Sequence, residues 1–254
     1  MELPKEKIKS TRVNPKSIII FGHPKIGKTT AISALDKCLV IDVEGGSDFV
    51  DAMKIDVLKE AEKANELPII TLIKLIKQIK KANEENKGFL YKYIALDTVS
   101  SLEDIIIPYA NKLYKSTPIG RNWLGDDVTL LPNGAGFRFL REAMLSIIND
   151  LSEICDTLII LGHTKDKDIE LNGEAITEKS LDLMGKMSSM LPSKVDAVGY
   201  MYREENETII NFVPSQSLVC GGRSEHLKNK KITVITSDQE GNLTIDWSKI
   251  FINK

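Results

Sequence analysis

Ser17-Ile18-Ile19-Ile20-Phe21-Gly22-His23-Pro24-Lys25-Ile26-Gly27-Lys28-Thr29-Thr30-Ala31-Ile32-Ser33-Ala34-Leu35 is the stretch that decides the fold. Its first five residues are an apolar run, the pattern of a buried strand. Residues 22–29 then fit G-x-x-x-x-G-K-[ST], a glycine-rich phosphate-binding loop. Thr29 to Leu35 reads as the helix that follows. Strand, glycine turn and helix in that order are the context the motif demands. Gly22 and Gly27 permit backbone angles and close approaches that a Cβ would block. Successive N–H groups from Gly22, His23, Pro24, Lys25, Ile26, Gly27, Lys28, Thr29 and Thr30, the proline excepted, can then point inward at phosphate oxygens, helped by the positive end of the helix. Lys28 is placed to reach the β- and γ-phosphates, and the Thr29 hydroxyl to ligate Mg²⁺, a hard cation that takes oxygen ligands. The expected ligand is therefore ATP with Mg²⁺.

Working outward, 254 residues suit one large domain or two small ones. A chain that is 42% hydrophobic and 28% charged can bury a sizeable core. A net charge of −2 does not advertise nucleic-acid binding by the chain as a whole, although a local basic surface is compatible with it. No stretch holds the roughly 20 apolar residues that span a membrane, and residues 1–16 lack the apolar centre of a signal peptide. Cys38, Cys155 and Cys220 are isolated, which fits reduced thiols of a cytoplasmic protein, the host cytoplasm if the chain is phage-encoded. His23, His163 and His226 do not join them at zinc-ligand spacing.

Residues 1–15 form a polar arm with Lys5, Lys7, Lys9 and Arg12, either a solvated tail or a contact with a neighbouring subunit or nucleic acid. Lys37 to Asp42 reads as a second strand ending in acids. The next stretch reads as helical and broken at Pro68, with Ile69, Leu72, Ile73, Ile76 and Ile79 at helical spacing as far as Asn86. Tyr91 to Asp97 is a third strand and Leu102 to Lys115 a helix. Residues 116–136 are a long irregular segment, and Phe137 to Ile154 a helix. Thr157 to His163 is a fourth strand, followed by a polar segment, 164–182, and a short helix near Met184–Leu191. Val195–Arg203 and Thr208–Val213 read as a hairpin, and Ile232–Thr236 with Leu243–Trp247 as a second pairing. The expectation is one α/β domain over 16–254: a mostly parallel sheet with helices on both faces and antiparallel strands at the C-terminal end.

Ligands of open α/β sheets sit beyond the carboxyl ends of the strands. Asp97, ending the third strand, fits an acid near Mg²⁺, or alternatively a helix N-cap. In Asp42-Val43-Glu44-Gly45-Gly46 an acid is placed to deprotonate an attacking water, or the segment is an acidic turn. His163, ending the fourth strand, is either a donor to a γ-phosphate oxygen or a hydrogen-bonded structural residue.

These positions together resemble the RecA-like ATPases, and more closely the phage-type nucleotide-binding proteins of the recombination and single-strand annealing group. The resemblance runs from about Ser17 to about Leu227. It rests on Gly22–Thr30, on Leu39 to Gly46, on Tyr93-Ile94-Ala95-Leu96-Asp97-Thr98, on Leu161-Gly162-His163-Thr164-Lys165 and on Gly221-Gly222-Arg223-Ser224. It implies a RecA-like P-loop core, with Glu44 activating water, Lys28 on the phosphates, Thr29 and Asp97 at the metal, and His163 coupling the γ-phosphate to the following loop. In RecA that last place is Gln, so His163 matches the phage-type branch. The resemblance also implies ATPase activity stimulated by a polymer partner, self-association into a ring or filament, and single-stranded DNA as partner. The DNA loops would be 116–136, with Arg121 and Trp123, and 164–182, with Lys165, Lys167 and Lys179. Arg223 would contact nucleotide across a subunit boundary or else pair with a local acid. A protein-binding nucleotide switch is the alternative class. A small-molecule kinase is disfavoured by the lack of an arginine-rich lid. A GTPase is disfavoured because Asn229-Lys230-Lys231-Ile232 lacks the acid of the base-reading motif.

Overall fold

The run Ser17–Gly22 forms β1, the middle strand of the sheet in the computed structural model, which describes residues 3, 5–171 and 174–252. A turn follows, and Lys28–Ser33 is α1. The remaining elements, in chain order, are β2 (Cys38–Asp42), β3 (Met53–Asp56), α2 (Val57–Ala64), α3 (Pro68–Asn86), β4 (Tyr93–Asp97), α4 (Val99–Ile105), α5 (Ile107–Lys115), α6 (Phe137–Glu153), β5 (Thr157–Leu171), β6 (Glu174–Leu181), α7 (Met187–Lys194), β7 (Ala197–Glu204), β8 (Glu207–Asn211), β9 (Gly221–Gly222), β10 (Lys231–Ser237) and β11 (Leu243–Ile245).

The strands lie in the order β11-β10-β8-β7-β1-β5-β4-β2-β3, with β6 attached to β5 and β9 to β7. The run from β7 to β3 is parallel, and β8, β10 and β11 extend it antiparallel at the C-terminal end. This is the mostly parallel α/β sheet the sequence predicts. β5 inserts between β1 and β4. The strand carrying His163 therefore lies between the phosphate loop and the strand carrying Asp97.

Parallel strands covered on both faces are apolar throughout, and their period of two sorts the side chains between two cores. Ile19, Phe21, Ile41, Leu96 and Ile160 pack under α3 and α6, while Ile18, Ile20, Val40, Ala95 and Leu161 pack under α1 and the C-terminal segment. Trp247 is part of the second core, and its indole N–H donates to the Ala31 carbonyl at 2.7 Å, tying the C-terminal segment to the end of α1.

Several sequence expectations need correction. The stretch after β2 is not simply helical, because Met53–Asp56 adds a parallel edge strand beside β2 before the Asp56 side chain caps α2. Pro68 opens α3 at its first turn, where its missing N–H costs nothing. The helix expected through Leu102–Lys115 is two, since Pro108 cannot donate back within one continuous helix. The short helix begins later than Met184, at Met187. The largest correction concerns 164–182. β5 does not stop at His163 but runs on to Leu171 and pairs antiparallel with β6, from Thr164↔Leu181 to Leu171↔Glu174. The polar segment is a hairpin, not a loop.

Segment 116–136 is irregular apart from two short 3₁₀ turns at Val128–Leu130 and Pro132–Gly134. Among the described residues, no helix is long and apolar enough to cross a membrane. Arg12 donates to the Asp156 carbonyl at 2.5 Å, and the Asn14 side chain exchanges hydrogen bonds with the Ile252 backbone at 2.8 and 3.0 Å.

Candidate active site

The turn after β1 is shaped by two glycines. A Cβ on Gly22 would lie 2.3 Å from the Met201 carbonyl oxygen of β7, so no side chain fits there. Gly27 has φ +99°, a left-handed conformation that favours glycine. The turn reverses the chain, and α1 begins at Lys28 with no side-chain cap on its first N–H groups. Lys28, Thr29 and Thr30, which carry these groups, line a cleft, and such donors are what an anion at this end requires.

Lys28 is buried, and its ammonium donates to the carbonyls of Gly22 at 3.1 Å and His23 at 3.0 Å. Burial lowers its pKa, and the charges of Asp97 and Glu44 work against that shift. The loop thus holds a cation folded against its own carbonyls. At the far side the Thr29 hydroxyl donates to Asp97 Oδ2 at 2.6 Å. Burial raises the pKa of Asp97; the Thr29 bond and Lys28 lower it, whereas Glu44 and Asp42 raise it further. A buried carboxylate beside a hydroxyl, with two more acids near it, suits a small hard cation. Among the described residues no cluster of three His, Cys, Asp or Glu side chains could hold a metal by itself. Thr29 and Asp97 fit Mg²⁺ that takes its other ligands from phosphate and water. The N-cap of α4 is Thr98, whose hydroxyl accepts from the Ser101 N–H, so Asp97 is not used for capping.

The two acids after β2 have separate tasks. Asp42 accepts backbone N–H bonds from Glu44 at 2.9 Å, Gly45 at 2.7 Å and Ser47 at 2.9 Å. Burial pushes its pKa up, but the bonds from Ser47, Gly45 and Glu44 outweigh this and hold it below the ordinary carboxylate value. It is the acid of a turn. Glu44 is left projecting into the cleft, where its Oε1 lies 3.2 Å from His163 Nε2. A carboxylate only accepts, so His163 Nε2 carries the hydrogen, and Nδ1 is left buried without a partner.

Lys28, Thr29, Glu44, Asp97 and His163 line one cleft of about 380 Å³, together with Pro24, Lys25 and Thr30. The ends of β1, β2, β4 and β5 supply them, as the rule for open α/β sheets predicts.

The residues assigned to DNA contact lie elsewhere. Arg121 is exposed in 116–136. Trp123 is half-buried, edge-on to Tyr114 at 5.2 Å, with the Lys115 ammonium 5.4 Å from its ring. Lys165 pairs with Asp182 at 3.4 Å and Lys179 with Asp166 at 3.0 Å, whereas Lys167 is exposed across from Glu178. Arg223 pairs with Asp196 at 3.2 Å and donates to the Ser193 carbonyl at 3.0 Å, the local-acid arrangement of the two that the sequence leaves open. Sequence reasoning misses Ser100, Glu103 and Asp182, which join α4 to the end of β6. Nothing in their spacing signals that contact.

A family model described as an AAA domain matches residues 14–242. None of the curated proteins matches the chain. Among solved structures, the crystal structure of the KaiC-like protein PH0186 from the hyperthermophilic archaeon Pyrococcus horikoshii OT3 is similar at 13% identity and a TM-score of 0.41, over 91% of this chain and 88% of that one.

Proposed function

Since the chain belongs to this AAA-domain family, a family of P-loop ATPases, we propose that it hydrolyses ATP with Mg²⁺ and uses the nucleotide state to control how its β5–β6 hairpin engages single-stranded DNA. The observation that carries the reading is the Glu44–His163 contact across two strand ends, in the cleft that also holds Lys28 and the Thr29–Asp97 pair.

Lys28 leaves the Gly22 and His23 carbonyls and binds β- and γ-phosphate oxygens. The N–H groups at the start of α1 take the remaining charge. Thr29 and Asp97 would hold Mg²⁺, which neutralises phosphate charge when bound. Glu44 accepts the proton of the water that attacks the γ-phosphorus, while the bond from that phosphorus to the β–γ bridging oxygen breaks and ADP leaves. His163 holds Glu44 in place and turns its Nε2–H between that carboxylate and a γ-phosphate oxygen. Since His163 lies in the same strand as the hairpin, its choice of partner is passed directly to Thr164 and Lys165.

In this reading Arg121, Lys165, Lys167 and Lys179 contact phosphates and Trp123 stacks on a base. Copies of the chain assemble in a ring or filament along the strand, with Arg223 near the boundary between them. A second reading, a nucleotide switch that binds protein instead of DNA, is favoured by one observation. Residues 164–182 carry three lysines against six acids, and two of those lysines are already paired. ATP turnover measured with and without single-stranded DNA, together with DNA binding at low salt in ATP and Mg²⁺, tests both. Stimulation and ATP-dependent binding support the DNA reading. Turnover without either supports the switch, and no ATP binding removes both.

A further inference from the structure

The root of the β5–β6 hairpin concentrates unsatisfied polar groups. Glu103 Oε1, His163 Nδ1 and Thr164 Oγ1 are all buried without a hydrogen-bond partner. Each such group is costly and calls for an explanation. His163 and Thr164 are where β5 leaves the sheet. Glu103 is on α4, the helix that starts directly after Asp97 and its neighbour Thr98.

From α4 two side chains reach the other end of the hairpin. Ser100 donates to the Asp182 carbonyl at 2.9 Å, and Glu103 Oε2 accepts the Met184 N–H at 2.8 Å. The same turn reaches back to β5: the Asp182 N–H donates to the His163 carbonyl at 2.9 Å, and its carboxylate pairs with Lys165. A Cβ on Gly162 would meet Leu181 at 2.3 Å and Val99 at 3.3 Å, so β5, β6 and α4 are in close contact here.

We propose that Glu103 is a positioning residue that ties the return strand of the hairpin to α4, the helix that follows Asp97 and Thr98. The metal-side acid and the γ-phosphate-side histidine then grip one hairpin from its two ends. This rests on the ATPase reading for its nucleotide dependence, but the tie itself exists in the free protein. The charged groups facing Glu103 are Asp104 on its own helix, Asp182 on the turn and Lys165 on β5. Burial pushes the Glu103 carboxyl up to about 7; Asp104 and Asp182 add to that, while the Met184 N–H and Lys165 oppose it. Released into solvent, the carboxyl returns to an ordinary value near 4.3. The tie is therefore fully formed below that ordinary value, loosens as the pH rises towards about 7, and levels off above it.

Hydrogen exchange on the full chain tests this, between pH 5.5 and 8 and corrected for intrinsic rates, with a non-hydrolysable ATP analogue, with ADP and without nucleotide. Without nucleotide, opening of 181–186 in the wild type should rise by up to ~10-fold per pH unit until about pH 7 and then flatten. Glu103→Gln keeps an acceptor for the Met184 N–H and does not titrate, so its opening should stay flat with pH. Glu103→Leu should open the turn at every pH. It should also erase the difference in hairpin protection between the ATP analogue and ADP, with nucleotide affinity kept. A wild-type profile as flat as that of Glu103→Gln overturns the proposal, as does a Glu103→Leu protein whose hairpin still responds to nucleotide. Should Glu103→Leu not fold, the wild-type and Glu103→Gln profiles decide. A wild type that binds no nucleotide but keeps the pH-dependent opening removes the ATPase reading and leaves the tie.

Discussion

The rim formed by the ends of β1, β2 and β4 and the hairpin that rises from β5 are neighbours, yet they satisfy their charges in opposite ways. On the rim the Lys28 ammonium rests on carbonyls, and the Asp97 carboxylate accepts from a hydroxyl. On the hairpin Asp166 faces Lys179, Lys167 faces Glu178 and Asp182 holds Lys165. Among the described residues, Lys28 and Asp97 on the rim are left without an ion pair, whereas on the hairpin two of the three lysines are paired with acids. Partly buried charges on the rim act at low dielectric, and exposed pairs on the hairpin contribute little to stability. The ligand chemistry is thus concentrated at the rim, and His163 is where the two regions join.

The sharpest way to break this contrast is Lys28→Ala. It removes two charge-assisted bonds to phosphate, each about 1.5–3 kcal/mol, so ATP affinity should fall by ~10²–10⁴-fold and turnover should vanish. Calorimetric titration with ATP and Mg²⁺ reads this. Wild-type affinity in the variant would mean that the rim does not bind phosphate. Glu44→Gln should have an effect of similar size, confined to turnover: ~10²–10⁴-fold slower hydrolysis with ATP binding kept. Normal turnover would move the base away from Glu44.

His163→Ala tests the junction. ATP should still bind, but stimulation of turnover by single-stranded DNA should be lost, since the imidazole links Glu44 to the first residues of the hairpin. Unchanged stimulation would leave His163 a structural residue. Gly162→Ala probes the same junction by packing. The new methyl group would collide with the buried Leu181 and crowd Val99, so unfolding in denaturant should show about 1–3 kcal/mol of lost stability. A neutral outcome would show that the hairpin root is free to shift.

The smallest effect is expected on the hairpin itself. Each phosphate neutralised on a single strand contributes about 0.7 to the salt slope, so changing Lys165, Lys167 and Lys179 together to Ala could remove up to ~2 units. Because Lys165 and Lys179 are already paired with acids, the expected change is nearer ~0.7, from Lys167 alone. Basal hydrolysis should be untouched. A change of zero in a protein that binds single-stranded DNA would place the contacts in 116–136.

Much of the rim was legible because its chemistry is local. Gly27, Lys28 and Thr29 share a short turn whose geometry their own backbone sets, and Asp97 and His163 stand out as polar residues ending apolar strands. The division of labour between Asp42 and Glu44 was less legible, although an Asp followed by Gly45-Gly46 is a turn pattern. The β5–β6 pairing is not legible in the local sequence. The density of charge in Lys165-Asp166-Lys167-Asp168 reads as a loop until the opposite charges of the second strand are placed across from it.

By itself, the sequence determined that a phosphate loop stands between a buried strand and a helix, and that acids and a histidine end the neighbouring strands. Those features follow from hydrophobic period and turn chemistry within a few residues of each other. Only the tertiary structure decided that β5 inserts between β1 and β4, which brings His163 within 3.2 Å of Glu44, 119 positions away. Only it joined Ser100 and Glu103 to a turn more than 80 residues later. Such contacts depend on the order in which strands pair. That order is set by burying two whole faces of a sheet at once, so no local stretch of sequence contains it.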